Sequence, residues 1–311
     1  MGVGSTGDGT VNLDGGTLTI PRATRGSGVA TFNFNGGTLI AGNSAAANFM
    51  SGLSVASVKS GGARIDSGAS VINVGQDLLD GTGGGGLIKT GSGTLNLNGV
   101  NTYTGSTLVN GGTFGGTGTI AGPVTIASGA RLAPGASIGT LTLNHVLTLA
   151  PGSTTAIEIS MTGGITNSDL VTGLTGVSYA GTLVVTNVGA TSAAGIVFKL
   201  FNSTAPGTGN FSQVTILPSG TGSFNPVTGE LTIHAPLTIN PPFTSGGSLI
   251  LTGTGGTSGG NYIWLTSTNL AAPLAAWATN SLGVFDGSGS FSNSIPLSPS
   301  EPARFFQLKT P

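Results

Sequence analysis

Between residues 86 and 114 the chain reads GLIKTGSGTLNLNGVNTYTGSTLVNGGTF. Short apolar alternations, Leu87-Ile88, Leu95-Asn96-Leu97, Thr107-Leu108-Val109 and Thr113-Phe114, stand between turns of Gly, Asn, Thr and Ser. Alternation at period two marks strands with one buried face, and Asn-Gly between such runs marks a turn. The turns come too often for long strands or for any helix. The pattern therefore predicts a chain that bends every five or six residues or so.

The phrase repeats. Asn12-Leu13-Asp14-Gly15-Gly16-Thr17-Leu18 returns as Asn33-Phe34-Asn35-Gly36-Gly37-Thr38-Leu39, and Gly61-Gly62 and Asn110-Gly111-Gly112-Thr113-Phe114 continue it. Three strands of about five residues with three turns of two or three make about 22 residues, close to this spacing. Such a unit cannot bury its apolar side alone and needs a neighbour stacked on it. The expectation is an all-β, right-handed parallel β-helix of about 22 residues per coil. Roughly ten coils at about 4.8 Å each would make a rod of about 50 Å. Residues 42–53 break the pattern and read as a corner insertion with a helical turn.

Residues 1–159 are assigned to regular coils, and 160–238, where turns lengthen, to irregular last coils or a cap. Three prolines between Pro236 and Pro242 would interrupt a ladder. Beyond them both tryptophans and several phenylalanines gather, so 239–311 is expected to be a small all-β, sandwich-like module.

Composition sharpens this picture. Gly 57 and Pro 15 come close to a disordered composition, but mean hydropathy is +0.32 and only 6% of residues are charged, unlike a disordered chain. Net charge is −1, with the nine basic residues scattered, which argues against nucleic acid as a partner. No cysteine is present, which excludes disulfides and thiol chemistry. No apolar run reaches the roughly 18 residues of a membrane helix. The N-terminus shows no signal-peptide pattern, so an exported protein is expected to be represented by a fragment. An open sheet edge on a first coil predicts edge-to-edge self-association.

Candidate chemistry is sparse. Gly135-Ala136-Ser137-Ile138-Gly139 fits G-x-S-x-G, and Asp169 and His234 follow in hydrolase order. A strand-like run follows it where a nucleophile elbow needs a helix. Gly81, Gly83 and Gly86 fit G-x-G-x-x-G, again without the helix that would hold a phosphate. Asp66, Asp77 and Asp80 are the densest carboxylates, with Lys59 and Arg64 nearby; only Asp77 and Asp80 could converge. They read as solvated or calcium-binding corners before they read as catalytic groups. His145 and His234 are far apart and read as outward strand residues. Tyr262, Trp264 and Trp277 could form a platform for a sugar ring, although in a 70-residue module such rings are more often core. No cofactor or metal is implied, and no catalytic residue.

Gly86-Leu87-Ile88-Lys89-Thr90-Gly91-Ser92-Gly93-Thr94-Leu95, then Asn101-Thr102-Tyr103-Thr104-Gly105, resembles the autotransporter-associated β-strand repeat position by position, with Phe114 in place of a usual Leu. Leu132-Ala133-Pro134-Gly135 with Ser137 to Leu141 resembles the passenger phrase that often follows. The end, Leu265 to Leu270 with Trp277 and Arg304-Phe305-Phe306-Gln307-Leu308, is similar to a C-terminal module of verrucomicrobial-type surface or secreted repeat proteins. The resemblance implies a non-catalytic extracellular or cell-surface stalk, structural or adhesin-like. Departing from autotransporters, no run of amphipathic barrel strands follows the module. Binding of polysaccharide or another surface component through the C-terminal module is the alternative. A β-helical polysaccharide-degrading enzyme comes third.

Overall fold

The computed structural model describes residues 2–4, 6–42, 45, 47–162, 164–189, 194–218, 220–256, 259–298 and 303–310. The chain folds as two compact units, Met1–Ser192 with Val197–Thr232, and Ala193–Ile196 with Ile233–Pro311.

The first unit is a parallel β-helix with three strands per coil. One face stacks Gly2–Val3, Ala23–Arg25, Asn48–Ser51, Val71–Val74, Thr94–Leu97, Thr113–Gly116, Arg131–Pro134, Thr154–Thr162, Thr182–Asn187 and Gln213–Leu217. A second face runs from Thr17–Ile20 to Thr208–Gly209 in nine strands. The third face is two sheets, one ending at Leu79–Asp80 and one beginning at Val100–Asn101. In-register stacking turns each inward position into a ladder. On the first face Ile72, Leu95, Phe114, Leu132, Thr155 and Leu183 stand one above another, all fully buried.

The coils are less uniform than their sequence phrase. Hydrogen bonds between successive coils span 21 residues from Asn33 to Asn12, but 18 from Asn101 to Thr119 and 31 from Ser168 to Lys199. The longer coils spend their extra residues outside the stack. One such excursion is a hairpin of Thr154–Thr162 with Ile165–Ser168.

The helical turn expected within 42–53 is corrected for its described part. Asn48–Ser51 is a strand of the first face, paired with Ala23–Arg25 and Val71–Val74. Phe49 and Met50 are both fully buried, and the register shifts between Asn73 and Val74, so a bulge absorbs the additional residue. Residues 43, 44 and 46 lie outside the described ones.

At its far end the unit changes character. Val197–Lys199, Glu230–His234 and Thr221–Asn225 form a separate three-stranded sheet, in which Val197–Lys199 runs antiparallel to Glu230–His234. Tyr179, Phe201, Phe211 and Phe224 pack together with ring centroids 4.9 to 6.3 Å apart. This aromatic cluster fills the last coils, where no further coil supplies a ladder partner.

The second unit is two antiparallel sheets. Thr238–Ile239, Phe243–Ser245, Ser248–Thr254 and Phe291–Pro296 form one, and Asn261–Ser267, Ala278–Val284 and Phe305–Lys309 the other. Leu251, Tyr262, Trp264, Phe285, Phe291 and Ile295 make its core. No helix among the described residues is long and apolar enough to cross a membrane.

Because Phe114 touches a ladder on both sides, truncation there removes packing from two coil interfaces. Phe114→Ala is expected to cost about 3–5 kcal/mol, read as a lowered urea midpoint by circular dichroism.

Candidate functional site

The stretch 86–115 forms a coil whose polar residues bond to neighbouring coils. Leu87 and Lys89 share the inward side of the strand Leu87–Thr90, and Lys89 is fully buried. Its Nζ lies 2.9 Å from Ser67 Oγ, 2.9 Å from the carbonyl oxygens of Thr90 and Gly91, and 3.1 Å from that of Gly111. Three ammonium protons are thus shared among four oxygens, and one side chain ties three successive coils. The turn closes tightly around it: Gly112 has φ +64°, and a Cβ there would lie 2.3 Å from the Gly93 carbonyl oxygen and 2.8 Å from Lys89 Nζ. Burial pushes the Lys89 pKa down to about 8, while the Asp66 carboxylate opposes the shift.

The Asn-Thr-Tyr-Thr-Gly run closes another corner. Asn101, 1% exposed, donates to the carbonyl oxygens of Gly99 and Thr119 at 3.0 Å and accepts from Leu78 N at 3.2 Å. Thr102 Oγ1 accepts from Asp80 N at 3.0 Å. The Tyr103 hydroxyl, buried, pairs with Thr107 Oγ1 at 2.6 Å, and burial raises its pKa. Gly105 is required by space, since a Cβ would come within 2.4 Å of the Gly85 backbone.

The acidic residues are spent on the same task. Asp77 Oδ1 accepts from Val100 N at 2.7 Å, and Asp80 Oδ1 from Thr104 N and Oγ1 at 3.3 Å. These bonds fall where the third face changes from one sheet to the next, so side chains bridge the break in the backbone ladder. Asp66 Oδ1 accepts from Gly68 N at 2.8 Å on a different face. Among the described residues no group of three or more His, Asp or Glu gathers as a metal site would.

Asp169, which follows Ser137 and precedes His234 in hydrolase order, has another task. It is 2% exposed, and its two oxygens accept from Gly139 N at 2.9 Å and Glu158 N at 2.7 Å. Burial lifts its pKa to about 6 against the two amide bonds, and the nearby Glu158 carboxylate adds to the rise. It holds the 135–139 loop by the backbone. A strand, Thr140–Leu143, follows that loop, and His234 is grouped with the second unit. Gly81, Gly83 and Gly86 likewise lead into a strand, Leu87–Thr90. His145 sits in a turn, its Nδ1 accepting from Val146 N at 2.9 Å, which corrects its placement in a strand.

The aromatic platform is corrected too. Tyr262 and Trp264 are 5% and 1% exposed and pack against Phe285 and Phe291. Trp277 is only half-buried, with its indole nitrogen donating to the Ala272 carbonyl oxygen at 3.0 Å. The three rings therefore present no common exposed surface.

Residues 87–115 match the family model of the passenger-associated-transport-repeat. The chain carries an autotransporter-associated β-strand repeat. A search of curated proteins found no match. The matched residues contain Lys89, Asn101, Tyr103 and the close-packed glycines Gly105 and Gly112, whose polar side chains bond both within this coil and to its neighbours. The burial of Lys89 was readable from its period-two spacing to Leu87. The contacts of Asp169 with Gly139 and Glu158 were not, because a looped-out hairpin separates these residues along the chain.

Lys89→Met would leave three carbonyl oxygens without their shared donor, a loss on the order of 3 kcal/mol. The pH dependence has a definite sign. An unfolded lysine titrates at about 10.4, above the folded value, so between about pH 8 and that value the unfolded chain holds more protons and stability rises with pH. Urea midpoints measured across this window should climb in the parent relative to Lys89→Met; parallel profiles would refute the assignment.

Proposed function

We propose that the chain is a non-catalytic passenger: a β-helical stalk, exported and held at or beyond the cell surface, that displays side chains along its outer faces. The observation that carries this reading is the use made of its ionisable groups. Lys89, Asp66, Asp77, Asp80 and Asp169 all bond to backbone atoms within or between coils. Chemistry needs such groups free and convergent; a stalk needs them where coils join. The ladder architecture supports the same reading, because each coil offers its outward residues at the same position as the coil before, which suits weak, repeated contacts. An adhesin-like role is the form of display that such a surface favours.

The sugar-binding alternative through the C-terminal module draws little from the geometry, since Tyr262 and Trp264 serve the core. In cells that express the protein, antibody against residues 1–311 should label intact cells, and external protease should remove the label. Labelling that appears only after lysis would rule out the surface passenger.

A further inference from the structure

Three Asn-Gly pairs occur in the chain: Asn35-Gly36, Asn98-Gly99 and Asn110-Gly111. Such a pair can rearrange without an enzyme. The glycine nitrogen gives up its proton and attacks the asparagine Cγ; the N–Cγ bond forms, the Cγ–Nδ2 bond breaks, and ammonia leaves. Water then opens the cyclic imide to aspartate or, with the main chain rerouted through the side chain, to isoaspartate. Glycine favours the attack because no Cβ shields its nitrogen. As dipeptides the three pairs are equivalent, but the fold treats them differently.

At two of them the reacting groups are occupied or crowded. Asn35 Oδ1 accepts from Gly61 N at 3.0 Å, and its Nδ2 donates to Asp14 Oδ1 at 2.9 Å. Gly36 N donates to the Gly62 carbonyl oxygen at 2.8 Å. Asn98 Oδ1 accepts from Thr117 N at 3.0 Å. Gly99 is buried, and a Cβ on it would lie 2.7 Å from Asp77 Oδ1 and from the Gln76 carbonyl oxygen. Asn110, by contrast, is exposed. Among the described residues neither its carboxamide nor Gly111 N has a hydrogen-bond partner. The space beside Gly111 is open, the nearest atom to a Cβ there outside its chain neighbours being the Gly91 carbonyl oxygen at 3.8 Å. The chain on either side of this peptide is held by one residue. Asn110 N donates to the Lys89 carbonyl oxygen at 3.0 Å, and Lys89 Nζ donates to the Gly111 carbonyl oxygen at 3.1 Å.

We propose that Asn110 is a spontaneous modification site, converting to isoaspartate in the folded protein ahead of Asn35 and Asn98, and that the product loosens the Lys89 corner. Existing hydrogen bonds decide the order. Freeing Asn35 and Gly36 breaks their bonds before the nitrogen can attack, enough to slow the reaction on the order of tenfold. At Asn110 no such bond stands in the way. An isoaspartate carries the main chain through Cβ and Cγ, which lengthens it between the two points that Lys89 holds. The Gly111 carbonyl oxygen is thereby displaced from Nζ, and the buried ammonium loses one of its four oxygens. The new carboxylate faces solvent, where Asn110 is already exposed.

Peptide mapping by mass spectrometry tests this on the 311-residue chain, aged at mildly alkaline pH both folded and in urea. In the folded chain Asn110 is expected to deamidate roughly tenfold faster than Asn35 or Asn98, with isoaspartate as the main product. In urea the three rates should converge, because only the dipeptide then matters. A folded-state rate at Asn35 or Asn98 equal to that at Asn110 would overturn the proposal. So would an intact Asn110 in the folded sample once the urea sample has reacted. The aged chain should also unfold at a lower urea concentration than the fresh one, whereas Asn110→Gln, whose longer side chain closes the imide slowly, should keep its midpoint on ageing. A midpoint unchanged after complete conversion at Asn110 would overturn the tie to Lys89.

Discussion

Everything in the first unit depends on parallel, in-register stacking. A single coil leaves its inward leucines and its backbone donors and acceptors half-satisfied, and the next coil supplies both deficits at once. Buried area and hydrogen bonds therefore arrive together, per coil. Stability in such a stack is a sum of nearest-neighbour interfaces, so a defect at one interface is local in structure and costly in energy.

Stacking also imposes constraints that side-chain chemistry must meet. Where a coil turns, backbone groups leave the ladder and need other partners. Asn101, Asp77 and Asp80 supply them across the break in the third face, and Lys89 does so for three carbonyl oxygens at another corner. Burying an ammonium is expensive, which is why its environment is made of oxygen atoms on three coils. The same demand for close approach accounts for Gly105 and Gly112, where any Cβ would strike backbone.

A low charge content, 6% of residues, is consistent with this division of labour. Lys89 and Asp169 are buried, Asp77 and Asp80 close their corner at the surface, and the rest of the outside is mainly Thr, Ser, Asn and Gly.

The architecture was legible in the order of amino acids alone. Period-two alternation, Asn-Gly turns and the recurring Gly-Gly-Thr phrase specify strands, corners and a stacking unit, because each is a local property of the chain. The burial of Lys89 was within reach for the same reason, since alternation places it beside Leu87. Other features arise only once the coils are stacked. Spacings between coils of 18 to 31 residues shift which residues meet, so Asp169 finds Gly139 and Glu158 only after a hairpin is looped out. Asn48–Ser51 becomes a strand because the stack needs Phe49 and Met50 inside, overriding a local sequence of small residues. Tyr262 and Trp264 turn inward because a small two-sheet unit has few other side chains large enough to fill it.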